Sequence, residues 1–125
     1  MEPLYHYQHH TDDDIVKNQL QLESQLWIDH LDAYINEADF LSKIASNQIK
    51  NKVLRDTLLD AINDMIKLLN ALYAHKNILD TISECDELHC NHYFISKHQQ
   101  HYKAYTAFSK SYSDLKIQVY VELLG

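Results

Sequence analysis

A chain of 125 residues, 46% of them apolar, is long enough to bury a sizeable core as one domain. Its 18 acidic and 11 basic residues leave a formal charge of −7, which excludes nucleic acid as an expected partner because a phosphate-binding surface needs clustered Lys and Arg. The only proline is Pro3 and the only glycine Gly125, where average usage places roughly fifteen of the two together; glycine-built phosphate loops, dinucleotide-binding turns and tight hairpins therefore lack their usual material.

Residues 1–10 read as a loose arm. Met1–His6 has neither a basic head nor an apolar stretch, so no secretory signal is expected; the cytoplasm is the expected compartment, with Cys85 and Cys90 as reduced thiols. Thr11-Asp12-Asp13-Asp14 reads as a helix start, with Thr11 as N-cap and three carboxylates at the positive end of the helix dipole. From there Leu20, Ser24, Trp27, Leu31, Tyr34, Ala38, Leu41 and Ala45 follow the alternating four-and-three spacing of a heptad seam, predicting a first helix over about 12–46. It carries eight acids between Thr11 and Phe40 against Lys17 alone. The break falls at Ser46–Asn51, where asparagines are expected to cap in place of glycine.

The second helix, about 51–83, has the most regular pattern: Leu54, Leu58, Ala61, Met65, Leu68, Leu72, His75, Leu79 and Ile82. A second stripe, Ile62, Ile66, Leu69 and Tyr73, runs beside it and widens the apolar arc enough to meet two neighbours. After the polar stretch Ser83–Asn91, a third helix over about 91–123 places Phe94, His98, His101, Tyr105, Phe108, Tyr112, Leu115 and Val119 on one seam. The expected fold is all-α: an elongated antiparallel up-down-up three-helix bundle with coiled-coil-like heptad packing, each helix roughly 45 Å long. No apolar run approaches the roughly 18–20 residues of a membrane span.

Leu26-Trp27-Ile28-Asp29-His30-Leu31, continuing to Tyr34, Glu37, Phe40 and Leu41, resembles the first helix of a family of small bacterial all-helical proteins of unknown function. Tyr105, Phe108, Tyr112 and Leu115 are similar to that family's C-terminal helix. The resemblance implies a coiled-coil-like bundle, and it brings no activity or ligand set.

Two constellations bear on chemistry. With a second turn centred near Asp86, antiparallel pairing sets His75 opposite Lys97 and His98; with a first turn near Gln48 or Ile49, it sets Glu23 opposite His75. His98 and His101 lie one helical turn apart, so His75, His98, His101 and Glu23 could share a layer and hold zinc or another transition metal, with Glu23 as fourth ligand or orienter. The alternative is histidines packed in the core and satisfied by Glu23, Tyr73, Tyr102 or Tyr105. Glu-x-x-His pairs, which di-iron carboxylate bundles require, are missing from the sequence. Cys85, His89, Cys90 and His92 carry ligand-type side chains, but Cys-x4-Cys stands without a second pair of standard spacing, so a polar loop is the expected reading. Asp56, Asp60 and Asp64, four residues apart, read as a solvated face.

The leading expectation for function is a non-enzymatic module that binds another protein or a second copy of itself. The spare apolar arc of Ile62, Ile66, Leu69 and Tyr73 is its candidate interface, helped by Phe40 and Ile44 off the first seam. No resident cofactor is expected on that reading. The alternative is a transition-metal-binding bundle built on the histidine layer.

Overall fold

A computed structural model describes residues 12–81 and 88–125, with the backbone alone at 12–14 and 88–91. All regular structure among them is helical: α1 (Asp12–Ile44), a π-helical turn (Ala45–Ile49), α2 (Lys52–Asp80) and α3 (Leu88–Leu124). None of these helices is long and apolar enough to cross a membrane. Thr11, the arm 1–10, Ile82 and Cys85 lie outside the described residues, as do the side chains of His89 and Cys90.

Side-chain burial follows the seams. In α1, Leu20, Ser24, Trp27, Leu31, Ala38 and Leu41 are buried, and Ala45 is buried in the turn that follows. Leu54, Leu58, Met65, Leu72, His75 and Leu79 are the buried positions of α2. Among the described side chains of α3 only every seventh residue is buried, His98, Tyr105, Tyr112 and Val119, while Phe94, His101, Phe108 and Leu115 stay half-exposed. The main core draws on all three helices, and Leu20 and Leu79 form a smaller cluster with Phe94 and Ile95. Ser24 is tolerated at full burial because its hydroxyl donates to the Leu20 carbonyl of its own helix at 2.8 Å.

The connection from α1 to α2 departs from the expected asparagine cap. The left-handed residue is Lys50 (φ 61°, ψ 38°), and its N–H and that of Asn51 both reach the Ala45 carbonyl. Asn51 instead starts α2: its side chain accepts from the Leu54 N–H at 3.0 Å and donates to Glu122 near the end of α3 at 2.8 Å. A short amide that caps α2 leaves the strained turn position to a residue with a Cβ. Lys50→Gly is therefore expected to raise stability by about 0.5–1 kcal/mol, seen as a higher urea midpoint, while Lys50→Ala gains nothing.

The other ends shift as well. α2 stops at Asp80 rather than near Ser83, because Thr81 turns both its N–H (3.0 Å) and its hydroxyl (2.7 Å) onto the Ile78 carbonyl. α3 begins at Leu88, three residues before its apolar period becomes readable.

Candidate functional site

Glu23, His75 and His98, one from each helix, form a hydrogen-bonded chain. Glu23 Oε1 lies 3.0 Å from His98 Nε2, and His98 Nδ1 lies 3.0 Å from His75 Nε2. The chain of bonds fixes the neutral tautomers. A carboxylate only accepts, so His98 Nε2–H donates to Glu23; His98 Nδ1 is then an acceptor, and His75 Nε2–H donates to it. His75 is left with a bare lone pair on Nδ1. His101 completes the group, its ring 4.6 Å from that of His75.

Packing within and between the helices holds the histidines in place. His75 occupies the α2 seam between Leu72 and Leu79 and is 4% exposed; His98 is 5% exposed and stacks on Trp27, ring centres 4.6 Å apart. Tyr105 covers Trp27 at 5.6 Å and Tyr102 at 5.8 Å, so indole, imidazole and two phenols form one aromatic layer. Burial pushes the His75 imidazolium down to about 4, with the neighbouring His101 and then His98 adding to the shift. His98 is lowered by burial against the opposing pull of Glu23, and His101 by burial, His98 and Lys97. All three are neutral at pH 7.

The metal reading meets this geometry directly. The structure brings His75, His98, His101 and Glu23 together, yet both His98 nitrogens are engaged in hydrogen bonds, and Glu23 contacts the far side of His98 rather than His75. His75 Nδ1 and the His101 ring nitrogens have no hydrogen-bond partner among the described residues. Among the described residues no set of three or more His, Cys, Asp or Glu side chains is arranged to hold a metal. A carboxylate–imidazole–imidazole chain orients the last imidazole and makes it a better acceptor, as an outer shell does in a metal site, but supplies no ligands itself.

Register arithmetic missed two further pairs. Tyr112 donates to Glu37 at 2.6 Å, with Lys116 beside the same carboxylate at 3.2 Å, and Tyr105 meets His30 at 2.5 Å. Burial and the Glu37 carboxylate hold the Tyr112 phenol well above its usual value, and burial pushes Tyr105 up to about 12. A sequence signal existed: Glu23, His30 and Glu37 recur every seven residues, and so do His98, Tyr105 and Tyr112.

The candidate interface splits. Ile62 and Leu69 are half-buried against the core, whereas Ile66 and Tyr73 are 41% and 43% exposed. Leu59, seven residues before Ile66, is equally open at 41%. On α1, Phe40 is 63% exposed and Ile44 half-buried. Asp56, Asp60 and Asp64 are exposed, with Arg55 paired to Asp56 at 2.9 Å. His92 is exposed on α3, and the rest of the Cys85, His89, Cys90 cluster is outside the described side chains. No family model, curated protein or solved structure matches the chain, so neither ligand nor activity reaches these residues from a relative.

Proposed function

We propose that the chain is an up-down-up bundle with heptad-type packing whose work is self-association, through the open face of α2. The topology is supported by arithmetic on the side-chain pairs. Glu23–His98, His30–Tyr105, Tyr34–Ser109 and Glu37–Tyr112 join α1 to α3 at one constant separation of 75 positions, the mark of parallel neighbours. Gln21 near the start of α1 meets Asp80 at the end of α2, while the short turn Ala45–Ile49 joins the end of α1 to the start of α2, so the two helices run in opposite directions. Between α2 and α3, Asn51 at the start of α2 meets Glu122 near the end of α3, while His75 near the end of α2 meets His98 in the first half of α3, which is again an opposite direction.

The observation that carries the function is the stripe Leu59, Ile66 and Tyr73. These residues repeat every seven positions on a helix whose other apolar seam is already filled, and a seven-residue apolar repeat on a long helix matches a second copy of itself. Charge favours this helix. α1 holds eight acids against Lys17 and Lys43, whereas α2 balances Lys52, Arg55, Lys67 and Lys76 against Asp56, Asp60, Asp64 and Asp80. Two copies meeting across α2 avoid the acidic field of α1. Sedimentation equilibrium is expected to give a dimer at micromolar concentration, and Ile66→Glu is expected to weaken association at least about tenfold while far-UV circular dichroism stays unchanged. A strict monomer in the wild type overturns the reading.

A transition-metal-binding bundle is the second reading, favoured by the clustering of three imidazoles and opposed by the engagement of both His98 nitrogens. Elemental analysis of the purified, tag-free protein decides it: about one equivalent of zinc per chain favours the metal, and a metal-free protein removes it.

A further inference from the structure

Beside the histidine chain, α2 and α3 part to leave a recess of about 310 Å³. Its walls owe their openness to two small residues. Ala71 and Ala74 stand on α2 where larger side chains would close the gap, and Ile78 and Phe94 complete an apolar lining. The polar lining comes from both helices: Lys97 and His101 on α3 and His75 on α2. The Lys97 ammonium lies 5.7 Å from the centre of the Tyr93 ring, which also lines the recess. No Asp or Glu lines the recess among the described residues, in a chain of net charge −7.

We infer that this recess binds a small organic monocarboxylate with an apolar body, the carboxylate at Lys97 and His101 and the body against Ala71, Ala74, Ile78 and Phe94. The volume is at the small end of known ligand pockets, and an apolar cavity with a few convergent polar groups is their usual form. The sign of the ligand follows from the charges. An ammonium beside His101 repels a metal dication and attracts an anion, with which it makes a charge-assisted hydrogen bond. The orientation follows from the tautomers. His75 Nδ1 is a lone pair held in place by Glu23 and His98, and it repels carboxylate oxygens, so the anionic end is left to the Lys97 side. The inference is independent of self-association, because Leu59, Ile66 and Tyr73 do not line the recess.

Octanoate is the probe, with octanol as its uncharged counterpart, read by the NMR methyl signals of Ala71 and Ala74. The expected result is a saturable shift of both methyls with a Kd of about 1 mM or tighter, and octanol binding at least about tenfold more weakly. Lys97→Met is expected to weaken octanoate about tenfold, and Ala71→Leu to abolish binding by filling the cavity. Ala71 is exposed, Lys97 is half-buried and both replacements are good helix formers, so folding is preserved and checked by circular dichroism. No saturable shift up to about 10 mM octanoate overturns the inference, as does unchanged affinity in Lys97→Met. Methyl shifts with zinc chloride but none with octanoate overturn it in favour of a metal.

Discussion

Trp27→Ala is expected to cost about 3–5 kcal/mol, roughly a fifth or more of the stability of an ordinary domain. The indole is 4% exposed and lies in the main core, so its removal leaves a cavity as well as losing apolar burial. Its ring also separates His98 from Tyr105, at 4.6 Å and 5.6 Å. Without it the imidazole of His98 loses its stacking surface and gains access to water, which loosens the bond to His75. Thermal unfolding followed by circular dichroism is expected to fall by about 10–20 °C. Trp27→Phe, which keeps an aromatic face, is expected to lose less than half as much. A loss below about 1 kcal/mol for the alanine variant contradicts the burial assigned to Trp27.

How far the sequence reaches is visible in this same layer. Seam positions such as Trp27, Leu58 and Met65 are buried as their spacing predicts, because a 3.6-residue period shared among many apolar side chains leaves a helix few ways to face a core. The histidine cluster was legible too, since numbering from two turns places neighbours to within a helical turn. What spacing leaves undetermined is rotation about each helix axis. Glu23 was aligned with His75, and it bonds His98 instead. That difference of a fraction of a turn changes the chemistry: a carboxylate facing His75 could share an ion with it, whereas a carboxylate facing the outer nitrogen of His98 only orients.

Caps show the same limit. The chain offers no glycine before Gly125, and the choice of Lys50 over Asn47 or Asn51 for the left-handed position depends on which carbonyls the turn leaves open. On α2 the stripe Ile62, Ile66, Leu69 and Tyr73 divides into half-buried and exposed members, because Ile62 and Leu69 sit closer to the seam than Ile66 and Tyr73 do. Periodicity alone does not locate that boundary; it depends on how close the neighbouring helices come.

Stability is expected to fall as pH drops from about 6.5 to about 4, and His75 is the main cause. Above that window the imidazole is neutral in both the folded and the unfolded chain and adds no pH dependence. Below about 6.5 the unfolded chain takes up a proton at this position. The folded chain does not until pH about 4, because burial and the nearby His101 and His98 disfavour a charge there. The unfolded state therefore binds more protons throughout the window, and the folded state loses about 3 kcal/mol from His75 alone. His98 and His101 are lowered as well and act in the same direction, Lys97 adding to the effect on His101 while Glu23 offsets part of it at His98. Urea midpoints measured at pH 7.5 and pH 4.5 read the difference. The wild type is expected to lose about 3 kcal/mol or more between them, and His75→Leu clearly less, whatever its own stability at pH 7.5, because the comparison is of slopes. Equal losses in the two proteins would show that the His75 proton is not coupled to folding, and with that the buried neutral chain from Glu23 through His98 to His75 would have to be given up.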